Sequence, residues 1–380
     1  MNFIYFDNNA TTPLLPAVEE AMRPFAAEIY GNPASAHQAG RRARKALEDA
    51  RDCVAALLGV HSDEVLFTSG ATESNNLALV SHAGDLPGHI LSSPIEHPSV
   101  VEPIKQLQER GFGVDWLPVD PQGVIDLDSF EVLLRPETRL ATVMLANHET
   151  GALQPIRDAA GRLEGRALFH CDAVQAVGKV PVRFHDLGVS TLSLSAHKFH
   201  GPKGIGALLV KRGVKLRPQL WGGHQQHGKR PGTEPVALAV GLAKALELAC
   251  QEMQHRHDRV LRLRQHFLGR LRAAAVHFIV NGPEAGGIPH ALNLSFPGLR
   301  ADALLMNLDL AGIACSTGSA CSSGSLLPSP VLQAMRVPEE LLHSAMRFSL
   351  SPLLTEQEMD EAARRISVVV RRMMQCGNDW

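Results

Sequence analysis

At 380 residues the chain exceeds one ordinary hydrophobic core, so two domains are expected. Hydrophobic residues make up 45% and charged residues 20%, the balance of a soluble globular protein, and a net charge of -2 gives no reason to expect a nucleic-acid or membrane partner. Scattered cysteines without a Cys-x-x-Cys pair, a start lacking a basic region before an apolar core, and no bilayer-length apolar run argue against disulfides, a metal site, a signal peptide and a membrane span; a cytoplasmic location is expected.

Residues 36–58 read as a long amphipathic helix closed by Gly59. Residues 65–67 form a short buried strand that runs through 68–73 into a helix ending at Leu79. A strand at 90–91 precedes a helix over 98–110, and a strand over 138–145 precedes a helix over 155–163. Further strands follow at 167–171, 191–194 and 206–210. This alternation predicts an α/β fold with a mostly parallel sheet covered on both faces. After Pro235 the pattern changes. Residues 236–271 read as one long helix with a kink or break, followed by strands at 277–280, 292–296 and 346–350 and helices at 301–310 and 356–374. That predicts a smaller α+β domain. The run 221–235 is too polar for a core and too distinctive for a plain linker.

Lys198 is the most informative residue. It follows an apolar stretch ending at Leu194 and precedes Gly201-Pro202-Lys203-Gly204, where a strand should give way to a tight loop. Open α/β sheets keep their chemistry at such places, and an amine there can form an imine with an aldehyde. Thr68-Ser69-Gly70-Ala71-Thr72-Glu73 joins a strand to a helix N-terminus and could bind a phosphate, or be an ordinary helix cap. Asp172 ends another apolar strand, where it could pair with a pyridine nitrogen or cap a helix, and Gln175 lies three residues on. Phosphate, pyridinium and aldehyde are the three needs of pyridoxal phosphate.

His97 sits between a strand and a helix, where it could stack on the ring and shuttle protons. Cys321 lies in a run of small residues and reads as a reachable thiol, whereas Cys315 reads as packed. Arg347, in an otherwise apolar strand, needs an anion, either a substrate carboxylate or an acidic side chain.

Together these segments resemble the cysteine desulfurases of the NifS/IscS type, in the class V aminotransferase group of fold type I. The resemblance runs from Tyr5-Phe6-Asp7-Asn8-Asn9-Ala10-Thr11-Thr12 to Arg347-Phe348-Ser349-Leu350-Ser351. Between them it includes Gly31-Asn32-Pro33, 68–76, Glu96-His97-Pro98, Asp172-Ala173-Val174-Gln175, 195–204, Gly222-Gly223-His224-Gln225 and the cysteine loop. It implies a large pyridoxal-phosphate domain over 15–255 with a mostly parallel seven-stranded sheet. It also implies a smaller α+β domain made from 1–14 and 256–380, which carries the cysteine loop.

By the same resemblance, Lys198 holds the cofactor as an imine, and Ala71, Thr72, Ser195 and His197 hold its phosphate. Asp172 partners the pyridine nitrogen, Gln175 the phenolate oxygen, and His97 stacks. Thr233 reaches the phosphate of a neighbouring subunit, which implies a homodimer and accounts for the polar run before Pro235. Cys321 accepts sulfur, Arg347 clamps the substrate carboxylate, and Asn8 and Asn32 lie near the substrate. In one departure, the family's Asn-Asn-Glu-x-Gly reads Asn147-His148-Glu149-Thr150-Gly151, which puts His148 where an asparagine normally contacts cofactor and substrate.

The implied reaction removes sulfur from L-cysteine, giving L-alanine and a persulfide on Cys321. An iron–sulfur scaffold protein is the expected acceptor. Two alternatives stand beside it: a selenocysteine lyase or aminotransferase of the same fold, and a weakly active homologue that docks sulfur carriers.

Overall fold

The computed structural model describes residues 3–318 and 328–377; Cys321 lies outside the described residues. The strands are β1 (Ile4–Tyr5), β2 (Val65–Thr68), β3 (His89–Ser92), β4 (Gly113–Trp116), β5 (Thr138–Thr142), β6 (Leu168–Asp172), β7 (Thr191–Ser195), β8 (Gly206–Val210), β9 (Ile279–Asn281), β10 (Ala291–Ser295), β11 (Ile313–Ala314) and β12 (Ala345–Ser349). A seven-stranded sheet has the order β2-β8-β7-β6-β5-β3-β4. Its pairings are parallel except those of β8, which runs against both β2 and β7. The predicted α/β class and mostly parallel sheet are observed.

Strands β2, β3, β7 and β8 are buried at every position, as a doubly covered sheet requires. Successive residues alternate between the two faces. Ile90 and Leu140 join Leu79, Val100 and Ile104 in one apolar cluster. Leu91 and Ala141 join Leu47, Val54, Leu58, Leu242 and Leu246 in another. Helices Ala71–Ala83 and Pro98–Glu109 thus cover one face, and Gln38–Leu58 and Val236–Gln251 the other. Gly59 ends the second of these pairs' long helix as expected, in the left-handed conformation (φ 70) that glycine adopts without a Cβ clash.

A separate core contains Ile4 and Phe6 together with Val260, Phe267, Leu294, Phe348 and Ile366. It packs the antiparallel sheet β12-β10-β9 and the parallel pair β1-β11 against helices Met253–Ala273 and Glu356–Gly377. The first residues of the chain therefore join its last third. The long helix expected over 236–271 is two helices, broken at Glu252 (φ -102, ψ 8). Neither Pro nor Gly causes the break; the chain changes cores there.

Elements missing from the sequence reading have weak signals. Strand β4 is an edge strand with Gly and Asp in a run of four residues. Helix Pro16–Ala27 contains Pro24, which reads as a breaker. The polar run 221–235 is tied down by one buried glutamine. Gln226 Oε1 accepts from Phe67 N at 2.8 Å and Arg51 Nη1 at 3.0 Å.

Candidate active site

The parallel strands share a direction, so the loops after β2, β3, β5, β6 and β7 gather at one edge of the sheet. There they line a cavity of about 440 Å³. Ala71, Thr72, His97, His148, Asp172, Gln175, Ser195, His197 and Lys198 all border it. Local sequence explains the convergence. β7 ends at Ser195, and a single tight turn, Ala196–Lys198, aims the amine inward. Gly206 lets β8 pack closely against β7 and the turn after β2, since a Cβ there would meet Leu194 O at 2.6 Å and Gly70 Cα at 2.8 Å.

Lys198 Nζ donates to Asn9 O at 2.6 Å and Ala10 O at 2.9 Å. Asp172 is buried, with Oδ2 accepting from Asn75 Nδ2 at 2.7 Å and Oδ1 from Val174 N at 3.0 Å. Asn75 is itself oriented. Its Oδ1 accepts from His170 Nε2 at 3.0 Å, and His170 Nδ1 lies 2.9 Å from Thr191 Oγ1. Burial lowers His170 to about 3, so the ring is neutral and the tautomer follows from the bonds.

His97 caps the helix Pro98–Glu109, its Nδ1 accepting from Ser99 N at 3.1 Å. Ser99 Oγ lies 2.8 Å from the same nitrogen and accepts from Asn75 Nδ2 at 2.8 Å. A neutral His97 therefore carries its proton on Nε2. Burial holds its pKa below the ordinary value; Asp172 opposes this, and Lys198 and Arg347 reinforce it. Edge-on to His97, with ring centroids 5.6 Å apart, stands His148. Neither His148 ring nitrogen has a hydrogen-bond partner among the described residues; Glu149 Oε1, 3.7 Å from Nε2, is too far. Burial drives its pKa well down, and the cations around it add to this.

Arg347 is buried in β12 and has found an acidic side chain: Nη2 pairs with Asp7 Oδ1 at 2.9 Å. Nη1 makes a long 3.5 Å contact with His148 O, and Nε has no partner among the described residues. Asn8 is buried nearby but donates to Tyr5 O and Ser349 O, and it borders a separate small cavity on the far side of Lys198. Thr233 and Asn32 are not brought to Lys198. Both are exposed and border another cavity of this chain. Cys315 is a free thiol whose pKa burial pushes up.

The cavity fits pyridoxal phosphate. Among the described residues no side chain caps the helix that begins at Ala71, and a Cβ on Gly70 would stand 3.9 Å from Ser195 Oγ, so a cradle of N–H groups faces a hydroxyl. His197 beside it is lowered to about 4 by burial and by Lys198. A dianion there would raise it. Asp172 and Lys198 supply the carboxylate and the amine. Among the described residues no group of His, Cys, Asp and Glu could hold a metal ion, and no helix is long and apolar enough to cross a membrane.

Several groups that build this site escaped the sequence reading. Asn9, Asn75 and Lys179 are buried and hydrogen-bonded to the residues above. Asn9 and Asn75 lay within the quoted motifs, and Lys179 stands four residues beyond Gln175 in the turns that follow β6. The buried Glu96 is raised to about 8 by desolvation, with Oε1 accepting from Ser93 Oγ and Met144 N.

The family model for "Aminotransferase class-V" matches residues 4–361. The chain is 43% identical to the cysteine desulfurase IscS of Dictyoglomus turgidum, over 99% of this chain and 98% of that one. It is 41% identical to the cysteine desulfurase NifS of Azotobacter vinelandii, over 99% and 95%. A solved NifS-like protein superposes with a TM-score of 0.91 at 38% identity, over 97% of this chain and 100% of the other. A NifS-like protein from Rickettsia africae gives 0.87 at 29% identity, over 97% and 99%. The chain belongs to the class-V aminotransferase family, among its cysteine desulfurases of the NifS/IscS type.

Proposed function

We propose that the protein is a pyridoxal-phosphate-dependent cysteine desulfurase that takes sulfur from L-cysteine and releases L-alanine. The observation that carries this reading is the single cavity shared by Lys198, Asp172 and the uncapped helix N-terminus at Ala71. When bound, the cofactor supplies an aldehyde carbon for an amine and a ring that withdraws electrons from the substrate Cα. The chain's residues do the rest. Ala71, Thr72, Ser195 and His197 hold the phosphate. Asp172, kept in place by Asn75, keeps a proton on the ring nitrogen.

Arg347 has an Nε without a partner among the described residues and one weakly engaged Nη, so it can add a substrate carboxylate to its pair with Asp7. Lys198 takes and returns the Cα proton. His97, with its proton on Nε2, exchanges protons at the substrate thiol. Cys321 attacks the substrate sulfur as a thiolate; the C–S bond breaks and its electrons end at the carbon that becomes the alanine methyl. Cysteine plus one enzyme thiol gives alanine plus one enzyme persulfide, so atoms and electrons balance. His148 and Asn8 flank the substrate.

The two cores support a large unit over 15–255 and a smaller one from 1–14 and 256–380. The exposed Thr233 and Asn32 suit a homodimer in which Thr233 reaches the partner subunit's phosphate. An iron–sulfur scaffold or another sulfur acceptor receives the persulfide, in the cytoplasm. The selenocysteine lyase, aminotransferase and docking readings gain no support from the named relatives.

Purified protein with pyridoxal phosphate should show a visible absorption band and form alanine from cysteine. Lys198→Ala should lose the imine band and lower alanine formation by roughly a thousandfold or more. A loss of less than tenfold in that variant would overturn the reading.

A further inference from the structure

Behind Lys198 stands a second amine that the reading above does not use. Lys179 is buried, and its Nζ donates to Gln175 Oε1 at 2.7 Å and to Asn9 Oδ1 at 3.2 Å. The charged groups acting on it most strongly are the cations Lys198 and Arg347. Arg256, His200 and His290 border the small cavity beside it, and His197 also feels its charge. No acidic side chain is among these groups. Burial, with Lys198 and Arg347, lowers Lys179 to about 7. A buried amine without a counter-ion is costly, so its position calls for a physical reason.

The hydrogen bonds supply one. Gln175 Nε2 donates to Asn9 O, so the amide oxygen is the atom that faces Lys179, whether or not that amine is protonated. Both amide hydrogens then face elsewhere. One goes to Asn9 O at 3.0 Å, and the other is left for the cavity that Gln175 borders. Asn9 O also receives Lys198 Nζ, and Asn9 Nδ2 holds His148 O at 3.0 Å. Lys179, Gln175, Asn9 and Lys198 form one connected network.

We propose that Lys179 is a positioning residue that locks Gln175 as a hydrogen-bond donor toward the phenolate oxygen of pyridoxal phosphate and fixes, through Asn9, the carbonyl that receives Lys198. This rests on the reading that the cavity binds that cofactor. When protonated, Lys179 also favours an anionic oxygen on the ring and disfavours a proton at the Lys198 nitrogen.

The test loads the full-length protein and the variants Lys179→Met, Lys179→Arg and Gln175→Glu with pyridoxal phosphate. The visible band of each is titrated with pH, and the melting temperature of each cofactor-free protein is recorded. In Lys179→Met the midpoint should rise by about one pH unit. Lys179→Arg, which keeps the charge and the donors, should return it toward wild type. An unchanged midpoint in Lys179→Met, or equal midpoints in the two lysine variants, overturns the proposal.

Gln175→Glu answers the question if Lys179→Met does not fold. The new carboxylate keeps the acceptor that faces Lys179 but loses the donors to Asn9 O and to the cavity, so the midpoint should rise. An unmoved midpoint overturns the proposal. A wild-type protein without any visible band overturns the cofactor reading itself.

Discussion

Along the β6 side of the Lys198 cavity, the buried groups around Asp172 are paired, although Ser193 Oγ on β7 lacks a partner among the described residues. Both oxygens of Asp172 accept hydrogen bonds, Asn75 uses its amide in both directions, and both nitrogens of His170 are engaged. Opposite, where the loop after β5 meets β12, pairing is incomplete. Arg347 Nε and both ring nitrogens of His148 lack partners among the described residues. An unsatisfied buried polar group costs on the order of 1–3 kcal/mol, and more when charged. On the proposed function, the contrast gives the two sides different work: the paired side would hold its groups rigid for a resident cofactor, and the open side would keep donors for a substrate that comes and goes.

The largest effect should come from Lys198, which serves the reaction on both sides. Lys198→Ala should lower alanine formation by roughly a thousandfold or more, measured with added cofactor. A loss of less than tenfold would remove the amine from the centre of the scheme.

Next comes acid. His82 and His200 are lowered to about 4 and His170 to about 3, all chiefly by burial. The folded state thus binds fewer protons than the unfolded state below the ordinary histidine value. Stability is therefore present above about pH 6.5 and lost as pH falls toward 4, by about 1.4 kcal/mol per pH unit for each histidine. Glu96, raised to about 8, has the opposite sign: its contribution falls as pH rises from the ordinary carboxyl range toward 8. The histidines outnumber it, so the melting temperature should drop between pH 6.5 and 5. A flat or rising profile would show that the buried imidazoles are not held neutral.

Arg347→Lys separates the two sides more finely. A lysine can keep the charge beside Asp7 but loses the planar fork. The KM for cysteine should rise about 10–100-fold, with a smaller change in kcat and no change in the cofactor's affinity. Loss of cofactor binding instead would place Arg347 on the paired side. The smallest effect is expected from His148→Asn, which restores the family's residue. The His148 imidazole is held neutral well below pH 6.5, so the pH–rate profile above pH 6 should keep its shape, with rates within roughly tenfold. A lost ionisation above pH 6 would mean that His148 titrates in catalysis.

The paired side was the more legible in sequence. Lys198, Asp172 and the turn before Ala71 each announce themselves by a local pattern, an apolar strand followed by a polar or small-residue turn. The residues that orient them do not. Asn75 reaches Asp172 across 97 positions, and Asn9 reaches Lys179 across 170. Such pairs exist only once β6, helix Ala71–Ala83 and the first segment are assembled. The Arg347 strand was legible as a charge needing a partner, but the choice of Asp7 was not. It depends on the first residues crossing to the second core, where Ile4 and Phe6 pack. Helix Pro16–Ala27 was hidden by Pro24, and β4 by its short, exposed edge position.

The most direct measurement is a single turnover with limiting L-cysteine, quantifying alanine and, by mass spectrometry, the sulfur added to the Cys321 peptide. One sulfur on Cys321 for each alanine released is the predicted result, with both lost in Lys198→Ala and in Cys321→Ser. Equal alanine with no sulfur added to Cys321 would contradict it.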